Sequence, residues 1–299
     1  MTQLECTVKE PESGVVNDTA PSASSFLDWR VIGTIAMKDL KITIRYPANL
    51  IIWGVVPILW IAPYLLMMTA LSGSTSSGYF SQVSGYDDFV RFTVIGWFVY
   101  QYVDSSIWGI GNNFRWEQFN GTLEPLFLAP VSRVSILLGG ALFNMIQTTI
   151  SACILLGLSM LIFGASYSAT VILPVLVVLF LMLLALSGFG FLLAGLIIVF
   201  KDPSVLTQLV STAVFTITPV SYPVDVLPRP VRILSYLMPA TLALVIIREL
   251  AIRGSADMSE YLWGIAGLMG LLVLFWAIGL LAFRYAERYT KQRGTMGGF

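Results

Sequence analysis

Histidine is absent from this chain, and cysteine occurs only at Cys6 and Cys153. The first absence removes the commonest general base and the commonest metal ligand. The second argues against a disulfide framework and against a zinc site. An intramembrane transferase or protease needs a nucleophile–base pair or a metal centre, and the apolar runs contain no acidic metal-binding cluster either. Charge is scarce: 11% of residues are Asp, Glu, Lys or Arg, with a formal net charge of zero. No electrostatic footprint for nucleic acid is present. There is no G-x-x-x-x-G-K-[ST] loop, nor any Gly-Lys pair, so the chain offers no Walker phosphate cradle.

What is abundant is apolar. The chain is 57% hydrophobic with a mean hydropathy of +0.81. Charge-poor runs of about 20 residues recur, the length that crosses a hydrocarbon core roughly 30 Å thick. The expectation is an all-α integral membrane protein with six transmembrane helices at about 50–71, 89–110, 135–163, 171–200, 205–222 and 261–285. Residues 1–25, rich in Pro, Ser, Thr and acids, read as a disordered tail without a signal peptide. Residues 26–46 read as an amphipathic interface helix, 47–290 as the six-span membrane domain, and 291–299 as a second tail.

In the interface segment Trp29, Ile32, Ile35 and Ala36 alternate with Arg30, Lys38, Lys41 and Arg45. That pattern suits a helix lying in the headgroup boundary, cations toward lipid phosphates. Pro57 and Pro63 predict a kink in the first span, tolerable where neighbouring helices satisfy the freed carbonyls. Residues 233–247 are too short for a span and contain Pro239, so they are expected as a re-entrant helical hairpin on the outer face, before the last span.

Six spans put both termini on one side. That side holds Lys9, Arg30, Lys38, Lys41, Arg45, Arg115, Arg133, Lys201, Arg284, Arg288, Lys291 and Arg293, twelve of the 17 basic residues. The other holds Arg91, Arg229, Arg232, Arg248 and Arg253. The positive-inside rule makes the termini cytoplasmic, in a plasma (inner) membrane.

Between the second and third spans lies NFRWEQFNGTLEPLFLAP, residues 113–130. Trp116, Phe119 and Leu123 recur at i, i+3 and i+7, with Arg115, Glu117 and Glu124 on other faces. Gly121 and Thr122 are expected to end the first helical turns, and Pro125 cannot continue them. An amphipathic segment so placed suits a groove on a soluble partner, although such linkers also simply connect spans.

Several segments taken in order resemble the permeases of type-2 ABC transporters, carriers of drugs, antibiotics, lipids and polysaccharides. They are Glu117-x-x-x-Gly121-Thr122-Leu123-Glu124, Pro130-Val131-Ser132-Arg133, Phe200-Lys201-Asp202, Tyr222-Pro223-x4-Leu227-Pro228 and Pro239-x8-Arg248. The resemblance covers about residues 30–290. It implies a non-catalytic transport subunit that dimerises with an identical or related permease and joins two ABC ATP-binding subunits. ATP and Mg would be bound by those subunits, none by this chain. By position, Arg115, Trp116, Glu117, Phe119, Gly121, Thr122, Leu123 and Glu124 would form the cytoplasmic coupling helix.

Polar residues inside the spans are candidates for the pathway. Asp104 is one, since an intramembrane carboxylate is costly, with a structural acid hydrogen-bonded to Ser105, Ser106 or a neighbouring span as the equal alternative; Gln101 precedes it by one turn and Trp108 follows. Asn144 and Gln147 in the third span and Ser211 in the fifth are further candidates, with helix–helix packing an equal alternative for each. The expected substrate is a hydrophobic or amphipathic small molecule or a lipid. A polysaccharide or glycolipid exporter is the alternative, and a secondary transporter coupled to ions through Asp104 a further one.

Overall fold

The computed structural model describes residues 28–73, 78–119, 121, 133–167, 169–199, 203–254 and 258–293. Its secondary structure is helical: α1 Trp29–Arg45, α2 Pro47–Ser72, α3 Gly78–Ser84, α4 Phe89–Phe119 and α5 Arg133–Phe163, then α6 Ile172–Val199, α7 Pro203–Ile217, α8 Arg229–Tyr236, α9 Pro239–Arg253 and α10 Met258–Arg293. Single 3₁₀ turns sit at Ala169–Val171 and Val224–Val226. No strand occurs among the described residues.

Each expected span coincides with a helix, yet among the described residues four of these helices are long and apolar enough to cross a bilayer: α2, α5, α6 and α10. The bent pair α8–α9 makes up to five if counted as one span. The helix α4 has ample length, but Arg91, Gln101 and Asp104 interrupt its apolar character. The 15-residue α7 reaches only ~22 Å at 1.5 Å per residue, short of a hydrocarbon core. Where a hairpin was expected at 233–247, α8 and α9 meet at a bend of 86°, the geometry of a broken span or of a re-entrant segment, and Pro239 opens α9 where its missing N–H costs nothing.

Local chemistry fixes the helix ends. Asp28 starts α1, its carboxylate accepting from the Arg30 amide at 3.0 Å. Asp88 starts α4, accepting from the Val90 and Arg91 amides at 2.9 and 3.0 Å and pairing with the Arg91 side chain at 3.0 Å. Asp88 is therefore a helix cap.

Helix α2 runs through both prolines as one helix. Pro57 has no amide hydrogen, so the carbonyl of Trp53, four residues earlier, loses its ladder partner. The Ser151 hydroxyl of α5 donates to that carbonyl at 2.8 Å. A neighbouring span thus satisfies the carbonyl that Pro57 frees.

The core lies where α4, α5, α6 and α9 meet, around Val99, Val103, Ile107, Leu155, Met182, Leu244 and Ile247. Lipid tails are as apolar as these side chains, so close packing rather than water exclusion holds such helices together. The α6–α10 crossing shows how close. A Cβ on Gly279 would overlap the Gly188 carbonyl oxygen, and one on Gly188 would meet the Trp276 amide nitrogen at 2.7 Å. The Trp276 indole donates to Leu184 C=O at 2.7 Å beside it. A tight crossing is thus made by Gly188 and Gly279.

Candidate functional site

Along α4 the residues Trp97, Tyr100, Gln101, Asp104 and Trp108 recur at three- and four-residue spacing and share one side of the helix. Part of α7 lies against them. Ser211 donates to Asp104 Oδ1 at 2.7 Å, and Tyr100 Oη lies 3.2 Å from Ser211 Oγ. A hydroxyl has one proton; with that of Ser211 given to the carboxylate, Tyr100 is the donor to Ser211. Phe215, one turn beyond Ser211, packs edge-to-face on Tyr100 with ring centroids 4.9 Å apart. It also meets Trp97 at 5.7 Å.

The seam brings together three of the five sequence-derived pathway residues, Gln101, Asp104 and Ser211. Gln101 adds a buried amide nitrogen without a partner among the described residues. Asn144 and Gln147 belong to α5 instead. Asn144 faces α4 at Gly109, where an added Cβ would meet its amide nitrogen at 2.9 Å. One turn on, Thr148 donates to the Ser105 hydroxyl at 2.7 Å. Those contacts join α5 to a different side of α4.

A buried guanidinium closes the Phe89 end of the seam. Arg248 on α9 is 3% exposed. Its Nη2 donates to Val220 C=O at 2.6 Å, its Nε to Phe92 C=O at 3.3 Å, and its Cζ lies 3.4 Å over the Phe92 ring centroid. Gly96 leaves the room: a Cβ there would overlap the Val220 carbonyl oxygen. Val220 belongs to the irregular stretch after α7, where helical hydrogen bonding has ended. The next carbonyl, Ser221, accepts from the Tyr64 hydroxyl of α2 at 3.1 Å. Buried backbone carbonyls at such a break need protein donors, and Arg248 and Tyr64 supply them.

Sequence reading counted Arg248 among the charges of the second side. It is instead a structural clamp inside the protein, and an arginine directly after the apolar run 233–247 was the available signal.

Beyond that end, Tyr86 donates to Glu249 Oε1 at 2.9 Å, and Arg253 pairs with Glu249 at 3.1 Å. Burial, then the Glu249 hydrogen bond and charge, push the Tyr86 phenol well above its ordinary range.

In α1, Ile32 and Ala36 are buried. A Cβ on Gly139 of α5 would meet Ile35 at 2.8 Å, so the third span takes up part of the apolar stripe. The amide of Asp28 donates to Ser135 Oγ at 3.0 Å. Trp29, 75% exposed, and Met37, Ile42 and Ile44 remain uncovered, alongside the exposed Arg30, Lys41 and Arg45. Lys38 lies 3.3 Å from Asp39.

The sequence placed a separate amphipathic helix at 113–124. The α4 helix instead continues unbroken to Phe119, so Arg115, Trp116, Glu117 and Phe119 stand on its last two turns. Gly121 follows with φ of 67°, the left-handed conformation that stops a helix. The side chains of 110–119 and all of Thr122, Leu123 and Glu124 lie outside the described residues.

Membrane-length apolar helices enclosing such a polar seam define a multi-pass membrane protein. A family model described as "ABC-2 type transporter" matches residues 30–252, more than half of the chain. The protein belongs to that family and is the membrane-spanning kind of subunit, an ABC permease. Membership implies an ABC ATP-binding subunit as its partner. No curated protein matches it significantly.

Proposed function

We propose that this chain is the permease of an ATP-driven exporter, moving a hydrophobic or amphipathic small molecule or lipid along a pathway that includes the α4–α7 seam. In this reading α2, α4, α5, α6, α7 and α10 are six spans. The α8–α9 hairpin enters from the outer face without crossing, and both termini are cytoplasmic, in the plasma membrane. Two copies, or this chain and a related permease, join two ATP-binding subunits that hold the ATP and Mg.

The observation that supports coupling best is the length of α4. Its 31 residues extend ~46 Å, some 15 Å more than a hydrocarbon core needs. The surplus is the end bearing Arg115, Trp116, Glu117 and Phe119, followed by the Gly121 turn. A stiff rod fixed in the bundle and projecting from it is suited to transmit movement of a docked partner. It shifts the permease only if the partner binds it differently in its two states. The exposed apolar and basic residues of α1 suit a helix resting on lipid headgroups. The seam at Asp104 is the one feature that favours ion coupling, and the family match weighs against it.

The test is a pull-down of the tagged chain from its native membrane. A soluble ATPase is expected to co-purify, and to be lost on Glu117→Arg or on deletion of 121–124. A clean preparation that transports with a proton gradient alone, and stops on Asp104→Asn, would overturn the proposal.

A further inference from the structure

The α4–α7 seam has two chemically different stations. Toward the Phe89 end, a cavity of about 260 Å³ is lined by Trp60, Tyr64, Trp97, Phe215, Val220 and Tyr222 among others, almost wholly apolar. Trp60 stands edge-on to Trp97 with centroids 6.5 Å apart, and Trp97 continues to Phe215 and Tyr100. Seven residues further along the same side of α4, ~10 Å by helix rise, is the Asp104 carboxylate. It accepts from Ser211 at 2.7 Å, with the Tyr100 hydroxyl and the Trp108 indole as further neutral donors. Among the described residues no Lys or Arg forms an ion pair with it. Between the stations sits Gln101, whose buried amide nitrogen has no partner among the described residues.

A carboxylate taken from water needs a counter-charge or a proton, and the neutral donors Ser211, Tyr100 and Trp108 supply neither. Aromatic faces attract cations and receive rings edge-on or offset. We infer that the seam binds an organic cation bearing an aromatic ring, its ammonium on Asp104 and its ring in the Trp60–Trp97–Phe215 cavity, about 10 Å away. This names the substrate class of the pathway proposed above and rests on that reading. The chemistry asks for a positive centre, a flat apolar end and a spacing near 10 Å. A neutral lipid or a glycan supplies no positive centre.

The measurement is binding of tritiated 6-phenylhexyltrimethylammonium to the purified complex in nanodiscs, without ATP. The comparison is its neutral analogue, in which tert-butyl replaces trimethylammonium. The readout is the ratio of the two apparent Kd values. Wild type is expected to favour the cation by about tenfold or more. Asp104→Asn is expected to bring the ratio to within about twofold, and Asp104→Glu, which keeps the charge, to retain a clear preference. Trp97→Ala is expected to weaken both probes.

A wild-type ratio near one overturns the inference, and so does a ratio that Asp104→Asn leaves unchanged. Because the wild-type ratio decides by itself, misfolding of a variant does not rescue the idea. A complex that keeps its ATPase and ATP-driven transport but shows no preference removes this inference alone. The expected ratio in a chain that never recruits an ATPase removes the permease coupling instead.

Discussion

Ser151 of α5 donates its hydroxyl to the backbone carbonyl of Trp53 in α2, at 2.8 Å. That carbonyl is the one Pro57 deprives of its helical partner, so a proline in one span and a serine in another form a single unit. Removing the donor leaves a desolvated carbonyl, at a cost of about 1–3 kcal/mol. Ser151→Ala is expected to lower unfolding stability by that amount. In a Pro57→Ala background residue 57 regains its amide, and the same change is expected to cost less than half as much. A double-mutant cycle by steric trapping in bicelles checks it. Additive losses would show that proline and serine are unrelated.

The Arg248 clamp makes a second expectation. Lysine keeps the charge but cannot reach Val220 and Phe92 with a fork of planar donors. Arg248→Lys is therefore expected to destabilise by about 2–3 kcal/mol through weakened charged hydrogen bonds. Gly96→Val is expected to do at least as much harm by displacing Val220. Thermal unfolding of the purified protein measures both, and a wild-type midpoint for Arg248→Lys would contradict the clamp.

Close packing at α6–α10 predicts opposite outcomes for two glycine substitutions. Gly279→Ala places a methyl against the Gly188 carbonyl and is expected to cost about 1–3 kcal/mol by overpacking. Gly270→Ala, on the same helix with nothing within 4 Å, is expected to be neutral or to gain up to about 1 kcal/mol of helix propensity. Expression yield and melting temperature separate the two, and equal effects would mean the crossing is looser than described.

Alkaline stability should report on Tyr86. Its folded pKa is raised above the ordinary value of 10.0, so folding favours the protonated phenol. That contribution is full below pH 10 and is lost as pH rises from there toward the folded value. Tyr86→Phe is expected to start less stable, yet to show a flatter decline above pH 10. Parallel curves would mean that Tyr86 ionises as freely folded as unfolded.

Helix existence was legible in the sequence because apolar run length is a local property. The first span was expected at 50–71 and the helix is Pro47–Ser72; the last was expected at 261–285 and the helix is Met258–Arg293. The break at Pro239 was legible for the same reason, since proline acts on its own backbone. Asp104 stood out because a carboxylate in an apolar run is conspicuous without any knowledge of neighbours. The end of α4 was misjudged. Residues 111–119 are polar enough to look like a fresh helix, but a helix already nucleated continues through them at little cost until glycine stops it.

The order of residues by itself determined a membrane-embedded, all-helical transport subunit of a recognisable family, with an acid in its second long helix. Each of these follows from composition, spacing or motif along the chain. Only the tertiary structure decided that Ser211 and Tyr100 attend that acid while Asn144 does not, that Arg248 is a buried clamp, and that Gly188 and Gly279 make a tight crossing. Such choices depend on the rotation of one helix about its axis against the next. Side-chain volume and hydrogen-bond reach over separations of a hundred residues set that rotation, and no local pattern encodes it.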